Sequence, residues 1–395
     1  MMQHILVINA GSSSVKFSVF NAQENEPAKI INARAVRLFH FDAKLTIKDS
    51  NDSKLIDKNL SEVSVNSANH QDAVEFFLGW LSQQTNIDLI AVGHRIVHGG
   101  PKYAEPVLID TKVIHDLESY QPLAPLHQQH NLAPINIIKK LYSNLPQVAC
   151  FDTAFHQTMP ELAKCFALPE KYHQEGVQRY GFHGLSYEYI VKHISKQTKI
   201  ENKKIIIAHL GNGASMCAIK NAKSVATTMS FTPLDGLVMG TRCGDLDPGV
   251  VLHLMSHYSM SAKDISTMLY KESGLLAVSK ESNNMRNLLA SKSRSCMQAV
   301  DLFCYQVNKH LGALTAELGG LDQLVFTAGI GENSAVIRKK ICDLANWLGA
   351  DVDESANDSD SSTISNQNSS VEISVIPTNE AKMIAMHVLQ VVIKS

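Results

Sequence analysis

Three runs of small residues follow directly on apolar segments and have the composition of phosphate-binding turns. Asn9-Ala10-Gly11-Ser12-Ser13-Ser14 follows the apolar run 4–8, with Lys16 just beyond it. Leu210-Gly211-Asn212-Gly213-Ala214 follows 203–209, and Ala328-Gly329-Ile330-Gly331-Glu332-Asn333 follows 323–327. Glycines let backbone N–H groups approach phosphate oxygens, serine hydroxyls add donors, and a lysine supplies a point charge. One such turn is as readily an ordinary hairpin turn; three, each after an apolar strand, point to phosphate handling. No G-x-x-x-x-G-K-[ST] run occurs, and Ser334 stands where a dinucleotide fingerprint begun at Gly329 needs its third glycine.

A second set of residues suits anions. Arg95, in 93–100, reads as leaving a strand into a glycine-rich loop, and Arg242 lies in the polar loop 241–249. A guanidinium captures a carboxylate or phosphate bidentately. Asp152 ends the apolar run 147–151, where an acid orients a nucleophile or metal, or caps a turn. His183 stands between glycines in 179–184. His94 and His98 are four residues apart, but the segment reads as a strand end with no third ligand, so a metal role is disfavoured. Asp247 reads as the cap of a helix with Pro248 at its first position.

The elements that must hold these residues alternate between strand and helix, which indicates an α/β fold. Strands are expected at 4–8, 15–20, 43–48, 54–59, 88–92, 147–151, 203–209, 215–220, 323–327 and 372–376. Helices are expected at 68–84, 185–197, 248–258, 261–273, 294–318, 333–347 and from 381 to 393. ILVINAGSSSVKFSV and IIIAHLGNGASMCAI match in pattern at an offset of 200 residues, with Gly11 over Gly211. That echo suggests two domains built on one plan. Residues 351–370 hold five acids, seven serines, three asparagines and no Lys or Arg, and read as a mobile surface excursion.

Composition excludes several function classes. The chain has 395 residues, enough for two or three domains, and a net charge of −2. It lacks the basic excess of a nucleic-acid binder. No apolar run approaches the ~18 residues of a membrane span. The N-terminus has no basic segment or small-residue cleavage site and does not read as a signal peptide. Seven scattered cysteines without a C-x-x-C pair fit free thiols in a reducing cytosol, so a cytoplasmic protein is expected.

In order and spacing, VINAGSSSVKFSVF, GHRIVHGG, LAPLH, FDTAFH, RYGFHGLS, HLGNGAS, TPLDGLVMGTRCGDLDPG, ESGLL, FTAGIGEN and IPTNEAKM resemble the acetate kinase family. That family belongs to the superfold shared by sugar kinases, heat-shock chaperones and actin. The resemblance implies two similar ribonuclease-H-like (actin-like ATPase) α/β domains with an active-site cleft between them. Residues 1–151 with 383–395 would form the first, and 152–382 the nucleotide-binding second. It implies reversible in-line phosphoryl transfer between ATP and acetate, giving ADP and acetyl phosphate, with Mg²⁺ or alternatively Mn²⁺, in a homodimer.

Residue by residue, Asn9 and Glu380 resemble the family's magnesium-site residues, and Ser12, Ser14 and Lys16 lie in its first phosphate hairpin. Arg95 resembles the carboxylate-binding arginine, and Val97, Leu126, Phe182 and Pro233 the small apolar pocket for the methyl group. Asp152 resembles the essential acid, read here as an organiser of Arg and Mg²⁺, because acetate is already ionised and needs no base. His183 and Arg242 resemble the transition-state stabilisers. His209, Leu210, Gly211, Asn212 and Gly213 form the second phosphate loop. Asn284, Met285, Arg286, Gly329, Ile330, Gly331, Glu332 and Asn333 resemble the adenosine-contacting segments. Asn284 replaces the usual Asp, and Gln128 the usual Asn.

The close rival is a propionate kinase of the same family. Val97 argues for the smaller acid, since Ala there would enlarge the pocket. A rival of another class, a non-catalytic ATP-binding module of the superfold, has no need for Arg95, Val97 and Arg242 together.

Overall fold

The first apolar run is buried almost without interruption, as a strand covered on both faces must be. It forms β1 (Gln3–Ala10) in a computed structural model that describes residues 2–22, 26–62, 67–123 and 128–394. β2 (Ser14–Asn21), β3 (Lys29–Val36), β4 (Lys44–Asp49), β5 (Lys54–Asn59), β6 (Asp88–Ile96), β7 (Val107–Leu108) and β8 (Gln147–Phe151) complete one sheet. Its order is β5-β4-β3-β2-β1-β6-β8-β7. A second sheet holds β9 (Lys204–Leu210), β10 (Ala214–Lys220), β11 (Lys223–Thr227), β12 (Gln323–Thr327) and β13 (Glu372–Val375), in the order β11-β10-β9-β12-β13.

The two sheets share a plan. β3-β2-β1 and β11-β10-β9 are antiparallel, while β6 and β8 continue parallel from β1 as β12 and β13 do from β9. The echo read at 200 residues is therefore structural: β1 corresponds to β9 and β2 to β10. The chain divides into two compact units, Met1–Phe155 with Asn379–Ser395, and His156–Thr378.

In the first unit Phe17 of β2 stacks on Phe77 at 4.4 Å between centroids. Phe77 lies on the helix His70–Ser82, which Asn69 and Asp72 start with a capping box. The last helix, Glu380–Lys394, lies against β6 and β1. A Cβ on Gly93 would sit 2.5 Å from Ile384 and 2.6 Å from Val388, so this approach requires glycine. In the second unit the helix Arg294–Leu318 covers the sheet and ends at Gly319 in the left-handed conformation.

Four expectations need correction. β3 was not anticipated, because alternation carried by Ala33 and Ala35 is a weak apolar signal. β6 continues through Arg95 to Ile96, so Arg95 lies within a strand. Ala328–Asn333 is a short helix rather than a turn. Residues 351–370 are built in rather than a loose excursion: they contain the helix Glu354–Asp358, bridges Val352–Ser365 and Thr363–Ser374, and a fully buried Ile364. Most of their polar residues do face solvent, but two, Asn357 and Asp360, hold a buried cation. Arg338 is 0% exposed and donates to Asn357 Oδ1 (2.8 Å), Asn357 O (2.8 Å) and Asp360 Oδ1 (2.6 Å). Among the described residues no helix is long and apolar enough to cross a membrane. All seven cysteines are free.

Candidate active site

β1, β6 and β8 are neighbours in the sheet, so residues at their ends meet. Arg95 Nε and NH2 donate to Asp152 Oδ1 and Oδ2 at 3.0 and 2.5 Å, a bidentate pair. Its NH1 donates to Asn9 Oδ1 at 3.2 Å. Glu380, first residue of the last helix, lies 3.7 Å from Arg95 Nε. Asp152 is 1% exposed. Burial lifts its pKa to about 6, partly offset by Arg95 and reinforced by Glu380. Burial alone would weaken protonation of Arg95, but Asp152 and Glu380 outweigh it and hold the guanidinium charged. Lys16 pairs with Asn9 across β1 and β2; burial lowers its pKa, and Glu380 partly compensates. Asp152, Glu380 and Asn9 thus bring side-chain oxygens, the donor type that Mg²⁺ favours, to one end of the sheet, where those of Asp152 and Asn9 accept from Arg95.

Val97 is buried one residue past β6, and its N–H donates to Asn131 Oδ1 at 2.9 Å. Asn131 Nδ2 in turn donates to Ala10 O at 2.8 Å, joining the end of β6 to the turn after β1. Sequence reasoning missed Asn131, since nothing in its helix marks it. Ser12 is exposed and Ser14 half-buried in a turn closed by Gly11 N–H to Ser14 O at 2.8 Å. Buried Gln128 donates to the carbonyls of Leu117 and His98 at 3.0 and 3.4 Å. Leu126 lies outside the described residues. His94 and His98 take separate structural roles: His94 donates to Gln147 Oε1 at 2.8 Å, and His98 Nδ1 accepts from Gly100 N–H at 2.9 Å. Burial depresses both to about 4.

The second unit holds the remaining charge-handling residues. His183 adopts φ 59°, immediately before the helix Gly184–Gln197. Its ring stacks on His209 at 4.1 Å, and its Nδ1 lies 2.8 Å from Ser215 Oγ. His156 Nε2 donates to the Phe182 carbonyl at 2.9 Å, which fixes buried Phe182 beside it. Arg242 NH1 donates to Pro233 O at 3.0 Å, so Pro233 supplies a carbonyl as well as apolar surface. A Cβ on Gly213 would lie 3.6 Å from His183 Nε2 and 3.8 Å from Arg242 NH1. The imidazole and guanidinium thus converge beside Gly213. Of the two acids beside Arg242, Asp247 caps its helix through Gly249 N–H at 2.8 Å, and Asp245 pairs with Lys309 at 2.8 Å.

A pocket of about 500 Å³ gathers most of the expected nucleoside residues. Gly211 and Asn212 come from the turn after β9, Asn284, Met285 and Arg286 from the start of the helix Met285–Ala290, and Gly329, Ile330 and Asn333 from the short helix after β12. Asn283, Leu289 and Ser334, not anticipated, complete it. Asn284 caps its helix by accepting from Arg286 N–H at 3.0 Å. Asn212 requires the bare Gly240, where a Cβ would run into its carboxamide.

His209, Leu210, Gly213, Gly331 and Glu332 do not line this pocket. Leu210 and Gly331 are buried. His209 joins His183 through their stacked rings, and Gly213 faces His183 and Arg242. The Glu332 carboxylate turns back to accept from Ala328 N–H (2.8 Å) and Thr378 N–H (3.0 Å). Its Oε1 thereby satisfies donors at the start of the short helix and ahead of the last one.

The sequence profile of the acetokinase family matches residues 4–386. An acetate kinase of Rhodopseudomonas palustris is 46% identical over 394 residues, 98% of each chain. One of Rickettsia akari is 43% identical, covering 99% of this chain and 100% of its own. Among solved structures, a propionate kinase from Francisella tularensis superposes with a TM-score of 0.91 at 36% identity, covering 98% of this chain and 99% of its own. The acetate kinase of Porphyromonas gingivalis gives 0.87 at 36% identity, covering 99% and 100%.

Proposed function

The chain belongs to the acetokinase family, and we propose that it transfers a phosphoryl group reversibly between ATP and acetate, giving ADP and acetyl phosphate. The observation that carries this reading is Arg95, held by Asp152 and Asn9 at the strand ends. A guanidinium so fixed presents a charged, directional face to a small carboxylate. Val97 beside it favours a short acyl chain.

Phosphoryl transfer needs positioning and charge neutralisation more than covalent help from the protein. Acetate is anionic at neutral pH, so Asp152 acts by orienting Arg95 and not by taking a proton. Arg242 neutralises charge on the equatorial oxygens of the moving group, and His183, converging on the same place, donates a hydrogen bond to them. The ~500 Å³ pocket suits the adenosine of ATP, with Lys16, Ser12 and Ser14 assigned to phosphate oxygens. Asn9, Asp152 and Glu380 are the residues that would hold Mg²⁺. The ion, when bound, would neutralise phosphate oxygens of the nucleotide. We place the protein in the cytoplasm, as a homodimer. The helix Pro248–His257 supports the dimer: it is largely apolar yet buries none of its residues, and Leu252 is 66% exposed.

The likeness to a propionate kinase, at a TM-score of 0.91, keeps a second reading in view. One methylene in an apolar pocket is worth only about 1–3 kcal/mol, so substrates overlap. Comparing kcat/KM for acetate, propionate and butyrate decides between them: acetate is expected to lead, and a lead for propionate would overturn the choice.

A further inference from the structure

His183 has two ring nitrogens, and only one arrangement of its proton serves a phosphoryl group. A neutral imidazole with the proton on Nε2 donates toward phosphate oxygens; with the proton on Nδ1 it would present a lone pair to them. The bond made by the other nitrogen decides which form is present. That nitrogen, Nδ1, lies 2.8 Å from Ser215 Oγ, and Ser215 Oγ lies 2.5 Å from the Tyr187 hydroxyl. Ser215 and Tyr187 are both 0% exposed, on β10 and on the helix that begins after His183.

A serine hydroxyl has one proton to give and lone pairs to receive another. A phenol is the stronger acid of the two hydroxyls, so it is the donor in the Tyr187–Ser215 pair. Burial, as the main effect, raises the Tyr187 pKa well above its ordinary value and keeps that proton on the phenol. The serine proton is then left for Nδ1. The Tyr187 ring is itself held edge-on against His156 at 5.6 Å and His209 at 6.4 Å, so the hydroxyl has little freedom to turn away.

We propose that Tyr187 and Ser215 form a proton-ordering relay, Tyr187 O–H to Ser215 O–H to His183 Nδ1. The relay fixes His183 in the tautomer whose Nε2–H points at the site shared with Arg242 NH1. Both are positioning residues, since neither touches the reacting atoms. The role in turnover rests on the reading of His183 as a phosphoryl-group donor; the relay itself does not.

The test is long-range ¹H–¹⁵N NMR of the full chain labelled at histidine nitrogens, recorded above the ring's titration, with the His183 signal assigned from its loss in His183→Gln. The wild-type ring should carry its proton on Nε2. Ser215→Ala and Tyr187→Phe should each raise the share of the Nδ1–H form. Both should lower kcat several-fold and leave KM for acetate and ATP unchanged, a split that a loosened fold would not give. A wild-type proton on Nδ1, or an unchanged tautomer in Ser215→Ala, overturns the relay. An unchanged tautomer in Tyr187→Phe removes the tyrosine from it. A wild-type chain that forms no acetyl phosphate but carries the Nε2 proton would overturn the proposed activity and leave the relay standing.

Discussion

In the proposed function, the Asp152–Arg95 pair would couple charge to substrate capture. Burial holds the Asp152 pKa up at about 6, and the pairing with Arg95 needs the ionised form. As pH falls through that value Asp152 takes up a proton, Arg95 loses its orienting partner, and binding of the carboxylate suffers. We therefore expect kcat/KM for acetate to fall on an acid limb near pH 6, above the titration of acetate itself. A profile flat down to the titration of free acetate would contradict the assignment. At this scale the sequence was informative about residue type and poor about direction. Arg95, Asp152 and His183 could be singled out because charged groups beside apolar runs and glycines are uncommon. The inward turn of Glu332 and the helix cap formed by Asn284 depend on backbone donors that a residue list does not reveal.

At the scale of elements, the short helix Ala328–Asn333 brings Gly329, Ile330 and Asn333 to the pocket proposed for the nucleoside, and its far end is held from behind. Arg338 NH1 donates to the carbonyls of Gly331 and Glu332 at 3.0 and 2.9 Å. Its other nitrogens reach Asn357 and Asp360 in the segment read from sequence as loose. A buried acceptor left without a donor costs about 1–3 kcal/mol. Arg338→Met should thus lower unfolding stability by at least about 2 kcal/mol and raise KM for ATP, with KM for acetate little changed. Thermal melts and steady-state kinetics check both; unchanged stability would contradict the latch. Most strands and long helices were legible because their periodicity is local. Residues 351–370 were not, because the cation that orders part of them, Arg338, lies outside the segment and carries no periodic signal toward it. β3 was missed because alanines carry its inward face.

For the whole molecule, one strand order, used twice, accounts for the length of the chain and for its internal echo. Both units carry the ribonuclease-H-like order of actin-like ATPases. Net charge is only −2, so attraction for two anionic substrates must come from a few placed cations. The helix Pro248–His257 exposes Leu252 and Met255, three residues apart on one face, a surface suited to burial against a second copy. Sedimentation equilibrium should give a dimer for the wild type and a monomer-shifted distribution for Leu252→Glu. A monomeric wild type would contradict the proposed assembly.

The central claim is that Arg242 stabilises a phosphoryl group moving between ATP and acetate. Trapping acetyl phosphate as its hydroxamate tests it most directly, on the wild type and Arg242→Ala, with ATP binding measured on the same samples. The account predicts product from the wild type and a rate lower by about 10³–10⁵ in the variant, in keeping with arginines at such centres, with ATP affinity nearly intact. A folded wild type that binds ATP and forms no hydroxamate would contradict it, as would a variant that loses ATP binding but turns over normally once saturated.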